Sequence, residues 1–345
     1  MEQKKYIRFV EAAVGDTLRR PVLVTSIKEG VDKNGNTYVK LNLRDEATDI
    51  SAMMFKMDKA ILANLRVTEG TVADAVIAVS EYNGAKNYRV EKISPTADTT
   101  VSASDFMKAP PYPIDDMYSE ICEFIKSCDP RLTSDDTDNA GDDKSEGSKE
   151  TKKEKNSIAE LTLKILGDFE KYYKTSSAAV SMHHNMLGGL LYHSYRMVKS
   201  ADALCGVYDI LDRELMICGA ALHDIGKLWE YNTSVTGEAE FTPSGILFGH
   251  IYLGASLIKR YTEGGNYDME KVQRLVHMIL SHHGTREFGA VVCPATAEAF
   301  ALHYIDNIDA KLYMCEDFYA QLEEGTITDK KPFGLDNRIY RPKTI

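Results

Sequence analysis

Hydrophobic and polar positions alternate along the first part of the chain, from about residue 16 to residue 95. In Thr37–Leu43, Tyr38 and Lys40 alternate with Val39 and Leu41. A period of two predicts a half-buried strand. The apolar segment Thr17–Ile27 reads as an earlier strand, and the Asn-Gly pair between the two predicts a hairpin turn.

Three further segments in this region read as strands: Asp49–Phe55, Thr71–Val79 and Asn87–Ile93. A short helix is expected over Met57–Leu65, between the third and fourth strands. Five short strands with a helix in that place are typical of an OB-fold barrel. On pattern alone, an SH3-like barrel or a plain sandwich is the alternative.

From Ser157 onward, apolar residues recur every three or four positions, which predicts helices. The expected helices are Ile158–Tyr173, Gly188–Ala203, Arg213–His223, Gly249–Thr262, Met269–Ser281 and Ala295–Gln321. Few segments of this half resemble strands. The fold class is therefore a five-stranded barrel followed by an all-α domain.

The pattern also predicts domain boundaries: a barrel over 1–95, a connector over 96–156, a helical domain over 157–330 and a tail over 331–345. Within the connector, Asp115–Ser127 is expected to be helical. Its last part, 134–156, contains no aromatic or large aliphatic residue. Such a segment cannot bury a core, so we expect a disordered insertion.

The formal net charge of −11 argues at first against a nucleic-acid-binding protein. Residues 1–95, however, carry 15 lysines and arginines against 13 aspartates and glutamates. The acidity therefore lies in the connector and the helical half, where bound cations would offset metal-binding carboxylates. The charge does not exclude a phosphate-rich substrate.

The chain lacks the signals of membrane or secreted proteins. It contains no run of about 18 apolar residues, and no apolar segment follows its N-terminus as in a signal peptide. Its six cysteines form no CxxC pair. We therefore expect a cytoplasmic protein with reduced thiols and no membrane partner.

All nine histidines lie between His183 and His303. Several of them, with two aspartates, fall on or at the ends of predicted helices: His193, His223, Asp224, His250, His282, His283 and Asp306. Neutral imidazoles and carboxylates on rigid elements are ligands for divalent cations that act on phosphate esters. Any one of these residues alone is more often structural, but their joint occurrence favours a metal site. Asp224 can bridge two cations, because it has two carboxylate oxygens.

The motifs around these residues are Met182–Asn185, Gly188–His193, Ala221–Lys227, Gly249–Ile251, His277–Gly284 and Leu302–Lys311. Their order resembles the HD-domain metal-dependent phosphohydrolases. In detail the motifs are similar to the YhaM-type 3′–5′ exoribonucleases, which join an N-terminal OB-fold to a C-terminal HD domain. Two positions depart from that family. Tyr192 stands where an acidic residue is usual, and Glu287–Val291 lacks the Ser-Pro that commonly follows Phe-Gly.

The resemblance implies a pair of metal ions. The first would be held by His193, His223, Asp224 and Asp306. The second would be held by His250 and by one or both of His282 and His283, with Asp224 bridging the two ions. Mn²⁺ is the expected cation, with Mg²⁺, Co²⁺ or Fe²⁺ as alternatives. Lys227 would face the scissile phosphate, and His183 and His184 would contact substrate or serve local structure.

The activity implied is the release of 5′-mononucleotides from the 3′ end of single-stranded RNA, with single-stranded DNA as a further substrate. Self-association into a homo-oligomer is implied as well. Two alternatives stay open: a phosphohydrolase of nucleotides or cyclic nucleotides, and a non-catalytic protein that binds single strands. Gly284–Glu287 lacks the Gly-Tyr-Pro signature of cyclic-dinucleotide enzymes.

An OB-fold binds single strands through stacking aromatics and a basic groove. The candidates for this role are Tyr38, Lys40, Arg44, Tyr88 and Arg89. Phe55 is instead expected to be a core residue.

Overall fold

The computed structural model describes residues 6–33, 35–45, 48–82, 84–106, 109–133, 155–178, 186–234, 237, 239–332 and 334–343. The chain forms two compact units. One is Met1–Ala109 together with Ser234–Glu238, and the other is Pro110–Thr233 together with Ala239–Ile345. The insertion expected over 134–156 lies outside the described residues, except for its last two positions.

The first unit contains a closed five-stranded barrel. Its strands are β1 (Thr17–Val31), β2 (Thr37–Arg44), β3 (Asp49–Phe55), β4 (Val72–Tyr82) and β5 (Ala85–Pro95). They are joined in the order β1-β2-β3-β5-β4, and only the pairing of β3 with β5 is parallel among the described strands. Helix α1 (Lys59–Asn64) lies between β3 and β4. The predicted OB-like arrangement is confirmed.

The alternation in β2 determines which side chains fill the barrel. Val39, Leu41 and Leu43 are fully buried in its core, whereas Lys40 is exposed and Tyr38 partly so. Successive side chains of a strand point to opposite faces of the sheet. The outer face of β2 therefore carries the polar and aromatic residues.

A buried ion pair fastens the N-terminal segment to the barrel. Arg20 on β1 and Asp45 after β2 approach within 3.2 Å, and both side chains are almost completely buried. Asp45 also accepts hydrogen bonds from the backbone nitrogens of Phe9 and Thr48, each at 2.7 Å. A buried carboxylate needs such partners, because burial removes its water.

The second unit is helical around one core. Its helices are α2 (Ile114–Lys126), α3 (Ile158–Asp168), α4 (Glu170–Thr175), α5 (Gly189–Cys205), α6 (Arg213–Leu222), α7 (Lys227–Glu230), α8 (Pro243–Thr262), α9 (Met269–Ser281) and α10 (Ala297–Gln321). A short antiparallel hairpin, β6 (Tyr231–Thr233) and β7 (Ala239–Phe241), joins α7 to α8. None of the helices in the described part of the chain is long and apolar enough to cross a membrane.

Helix α2 differs in its role from the sequence-based expectation. It lies in the stretch assigned to a connector, yet Met117, Ile121 and Ile125 are buried in the helical core. The first compact unit extends to Ala109. The spacing of four residues between these apolar side chains gives α2 one face that must pack against other helices.

Two predicted helices have different boundaries. Ile158–Tyr173 is interrupted at Phe169, whose ring packs edge-on against Trp229 at a centroid distance of 4.9 Å. Helix α8 begins at Pro243 rather than Gly249, because Thr242 caps its N-terminus by accepting a hydrogen bond from the Gly245 nitrogen. Gly249 instead marks a kink, with a φ of 68° that favours glycine.

Replacing Asp45 with alanine should destabilise the barrel by about 3 kcal/mol or more, because it removes a buried ion pair with Arg20 and the acceptor of the Phe9 and Thr48 nitrogens. Amide hydrogen exchange of β1–β5 peptides in the full chain measures this effect. Glu91→Ala is the matched control. It breaks the exposed pair with Arg89 and should change the stability by no more than about 0.5 kcal/mol. Equal effects of the two substitutions would contradict the role given to Asp45.

Candidate metal centre

Four predicted ligands meet between α5, α6 and α10. The His193 Nε2 atom lies 3.0 Å from His223 Nε2, 3.3 Å from Asp306 Oδ1 and 3.7 Å from Asp224 Oδ2. His223 Nε2 is 3.3 Å from the same Asp224 oxygen. His193, His223 and Asp224 form a group whose ligand atoms could hold a metal ion.

The other three predicted ligands lie on the opposite side of Asp224. The Nε2 atoms of His250 and His282 are 3.5 Å and 3.7 Å from Asp224 Oδ1. Together with His283 they form a second group that could hold a metal ion. The two Asp224 oxygens thus face different groups of histidines, and the carboxylate is placed to be shared between them.

Every one of these imidazoles is held through its Nδ1 atom. The acceptors are Asp309 for His193, the Ala220 carbonyl for His223, Glu230 for His250, the Ile279 carbonyl for His282 and the Phe288 carbonyl for His283, at distances of 2.7 to 3.0 Å. An oxygen acceptor at Nδ1 puts the proton there, which leaves the Nε2 lone pair free. All five side chains therefore present Nε2 as a ligand atom.

The centre contains buried polar atoms with unmet bonding capacity. Asp224 Oδ1, His250 Nε2 and His282 Nε2 are inaccessible to solvent and have no hydrogen-bond partner among the described residues. The Nε2 atoms of His193 and His223 lie 3.0 Å apart, a separation that needs a proton or a metal ion between the two nitrogens. Such atoms cost free energy unless they are satisfied. The donor set fits divalent cations.

Asp224 and Asp306 carry the negative charge that a carboxylate ligand of a metal ion needs. Burial raises the pKa of Asp224, but Lys227 and the imidazoles of His223 and His250 outweigh it, so the pKa is well below its usual range. Burial also opposes ionisation of Asp306, whose pKa is nevertheless lowered by the hydrogen bond with His193. Both carboxylates are ionised at neutral pH and available as ligands.

The histidines differ in their protonation. Burial, with the charge of neighbouring imidazoles, lowers the pKa of His282 and of His283, so both are neutral, as metal ligation requires. Burial lowers the pKa of His193 too, but the carboxylates of Asp306 and Asp309 raise this pKa by more than burial lowers it, to about 10. The surroundings of His193 thus favour a positive charge at the place where a cation would lie.

The side chain of Lys227 is paired with the central carboxylate, Asp224. Its Nζ atom is 2.6 Å from Asp224 Oδ2, and its side chain is mostly buried. The pair spans one helical turn, because the Lys227 nitrogen donates to the Asp224 carbonyl. The ammonium therefore lies within the centre and holds the central carboxylate.

Two glycines let the chain bring these ligands together. At Gly226 a Cβ atom would overlap the carbonyl oxygen of His250, so only glycine lets α8 cross the turn after α6 this closely. At Gly284, with a φ of 79°, a Cβ atom would overlap the ring of His303. His303 in turn hydrogen-bonds the His282 carbonyl through its Nδ1 atom. These contacts give His303 a structural role at the turn after α9.

Sequence reasoning missed the carboxylates behind the ligands. Asp309 holds His193 and is itself bound by Arg196, whose Nε lies 2.5 Å from Asp309 Oδ1. Glu230 accepts hydrogen bonds from both the backbone nitrogen and Nδ1 of His250. A signal existed for Asp309, which follows Asp306 by one helical turn. Nothing in the spacing marks Glu230.

The predicted strand-binding residues differ in how exposed they are on the barrel. Tyr38, Lys40 and Arg89 lie on the outer face, where Lys40 pairs in register with Met53 and Met53 with Arg89. Phe55, expected in the core, is instead half exposed, and its ring lies 6.1 Å from that of Tyr38. The outer face is therefore richer in aromatic surface than the sequence suggested.

The other two predicted strand-binding residues are less exposed. Arg44 is buried and donates to Asp49 at 2.6 Å, so it does not present a surface cation. Tyr88 packs against the barrel core beside Phe9, because it precedes Arg89 by one position and so faces the other side of β5. His183 and His184 lie outside the described residues, and their predicted substrate contact stays a prediction.

The comparison with known proteins agrees with this geometry. Residues 190–311 match the HD domain family, and all seven predicted ligands lie in that span. The chain is 30% identical to the protein named 3′–5′ exoribonuclease YhaM from Bacillus subtilis, over 95% of this chain and 96% of that protein. The proteins of that name from Bacillus licheniformis and a Geobacillus species are 30% and 29% identical over similar shares of their lengths.

Removing the carboxylate behind a ligand should weaken metal binding without removing the ligand. Asp309→Asn and Glu230→Gln are each expected to lower the affinity for Mn²⁺ by about 10- to 100-fold, measured by titration calorimetry on the full chain. Glu316→Gln is the control, since Glu316 pairs with Arg196 from the exposed side and its loss should change the affinity little. Unchanged affinity in the first two variants would contradict the orienting role.

Proposed function

This chain belongs to the family of the 3′–5′ exoribonuclease YhaM, and we propose that it hydrolyses single-stranded RNA from the 3′ end to release 5′-mononucleotides. The identity over almost the whole chain supports this assignment. The direction of hydrolysis rests on the names of the relatives. The chemistry rests on the centre around Asp224.

The observation that carries the proposal is the shared carboxylate. Asp224 lies between two groups of histidines, each of which could hold a metal ion. We assign His193, His223 and Asp306 to one ion and His250, His282 and His283 to the other, with Asp224 common to both. Mn²⁺ is the cation we propose, with Mg²⁺, Co²⁺ and Fe²⁺ as alternatives; of these, Mg²⁺ has the strongest preference for oxygen ligands and suits the imidazoles least.

Bound divalent cations supply Lewis acidity, which activates water and neutralises charge on the phosphoryl oxygens. The chain contributes the rest. The five imidazoles are oriented before any cation arrives, because each is held at Nδ1. Lys227 keeps Asp224 ionised and adds positive charge beside it. We propose that the same ammonium faces the scissile phosphate.

The barrel is proposed to hold the single strand. Partly exposed Tyr38 and half-exposed Phe55 form an aromatic pair on its outer face, and Lys40 and Arg89 supply positive charge there. Stacking on aromatic rings tolerates any base, and lysines and arginines bind the phosphates. We propose residues 1–95 as this strand-binding domain and 157–330 as the catalytic domain, with 96–156 as the connector, whose helix α2 packs in the helical core, and 331–345 as a tail. We also propose a cytoplasmic location, which the free thiols of the six cysteines support.

A single assay tests the activity. The purified chain with Mn²⁺ is incubated with a 5′-labelled single-stranded RNA and with a DNA of the same sequence. We expect a ladder of products that shorten by one nucleotide at a time. Asp224→Ala should abolish it, because that substitution removes a ligand from both groups. Turnover of free nucleotides without cleavage of RNA would contradict the proposal in favour of a nucleotide phosphohydrolase, and binding without cleavage would favour a binding protein.

The division of labour makes a second prediction. Tyr38→Ala should raise the KM for a 20-nucleotide RNA by on the order of 10-fold through the loss of stacking, and leave the KM for a tetranucleotide nearly unchanged. Tyr82→Ala, an exposed aromatic at the end of β4, is the control and should affect neither. Equal effects of Tyr38→Ala on both substrates would show that the barrel does not act as the strand holder.

Self-association is the remaining part of the proposal, and α10 offers a surface for it. Phe300, Tyr304, Ile308 and Leu312 recur every four residues and are each about half exposed, so they form an apolar ridge. A contiguous apolar patch on a soluble protein commonly marks an interface. Light scattering should find an oligomer that Ile308→Glu dissociates, whereas Ile210→Glu, in the exposed turn after α5, should leave it intact. A wild-type monomer would contradict the proposal.

A further inference from the structure

One of the five imidazoles of the centre is held differently from the rest. Four of the Nδ1 hydrogen bonds are buried, those of His193, His223, His250 and His282. The bond from half-buried His283 to the Phe288 carbonyl is exposed, and Phe288 keeps 68% of its surface. An exposed hydrogen bond competes with water and contributes little net free energy. The position of the His283 ring therefore depends on whatever fixes its acceptor.

That acceptor lies in a tight turn, Thr285–Ala290, which follows α9. The Ala290 nitrogen donates to the Thr285 carbonyl at 3.1 Å and closes the turn. Gly289 has a φ of 98°, a conformation that residues with a side chain rarely adopt. The turn thus closes without strain because glycine occupies this position.

Both ends of the turn are fastened to α9. Before it, the Gly284 nitrogen donates to the Ser281 carbonyl at 2.7 Å. After it, the Val291 nitrogen donates to the Leu280 carbonyl at 3.0 Å. The closed turn is therefore fixed relative to α9, and with it the carbonyl that accepts the hydrogen bond from His283.

The ligand held by the turn belongs to one of the two groups. The ring centroid of His283 lies 5.2 Å from that of His250 and 4.3 Å from that of His282, and these three residues form one candidate group. In the other group, the Nδ1 atoms of His193 and His223 are held by buried acceptors of the helices. Opening of the turn would act directly on the first of these groups.

We infer that the turn Thr285–Ala290 positions His283 and so determines the affinity of the centre for one of its two cations. This inference rests on the proposed function, which assigns His283 as a ligand. A site that is complete for only a fraction of the time binds with an apparent affinity reduced by that fraction. Opening of the turn therefore weakens the cation held with His283. Conversely, binding of that cation protects the turn from opening.

The test is a titration of the full chain with Mn²⁺, followed by calorimetry. The variants are Gly289→Ala, His283→Ala and the two combined. Gly264→Ala is the matched control, because Gly264 is an exposed glycine with a φ of 73° between α8 and α9, where a Cβ atom would meet nothing within 4 Å. Both alanines impose backbone strain at a surface turn, but only Gly289→Ala does so in the turn that holds His283.

Gly289→Ala should weaken one of the two Mn²⁺ affinities by roughly 5- to 50-fold and leave the other unchanged, because alanine at this φ favours opening of the turn. Gly264→Ala should change neither affinity. In the His283→Ala background, Gly289→Ala should have no further effect, since the turn acts through that imidazole. Amide hydrogen exchange of residues 285–291 should slow when Mn²⁺ is added to the wild type and stay fast in His283→Ala.

Three results would overturn the inference: equal weakening of both affinities by Gly289→Ala, no weakening of either, or a further loss in the His283→Ala background. In these cases the wild type still binds two Mn²⁺ ions and cleaves RNA. If the wild type binds two ions and cleaves no RNA, the proposed activity fails and the role of the turn stands. If it binds fewer than two ions, the ligand assignment fails, and this inference fails with it.

Discussion

The centre of the helical unit is governed by the electrostatics of one buried carboxylate. Both Asp224 oxygens are surrounded by imidazole Nε2 atoms, whose rings hydrogen-bond oxygen acceptors through Nδ1 on their far sides. Lone pairs brought this close repel one another in a medium of low dielectric constant, unless positive charge lies among them. Lys227 supplies one such charge, and divalent cations would supply the rest. The fold therefore brings together groups that repel one another unless cations are bound. Packing elsewhere in the unit must hold these groups in place.

That support comes from the ends of helices. His223 and His282 each follow the last residue of a helix and hydrogen-bond a carbonyl of its final turn. Free carbonyls at a helix end are good acceptors for an imidazole N–H. Gly226 then allows α8 to approach the turn after α6 closely enough for His250 to reach the same point. His223 and His282 are consequently placed by backbone carbonyls, whereas His193 and His250 are held by the side chains of Asp309 and Glu230.

Much of this arrangement could be predicted from the sequence, for identifiable reasons. The alternation in β2 and the apolar spacing of the helices reflect burial, which dominates both elements. The ligands could be recognised because histidines are otherwise rare in the chain. Glu230 was missed because one glutamate at a helix end resembles any surface residue until its partner is known. Arg44 alternates with the core residues in the same way as Tyr38 and Lys40, so its burial beside Asp49 at the end of β2 could not be predicted from the alternation. The positive φ of Gly249 could not be predicted, because it depends on contacts that exist only in the folded chain.

The two units are proposed to divide one task. The barrel would bind the strand without regard to sequence, and the centre around Asp224 would hydrolyse its end. The most direct test of the shared carboxylate is electron paramagnetic resonance of the Mn²⁺-loaded chain, together with its Mn²⁺ content. The account predicts two ions per chain with a spin-coupled signal, because Asp224 joins them, and loss of that signal in Asp224→Ala. A signal from isolated Mn²⁺, at one ion per chain, would contradict it.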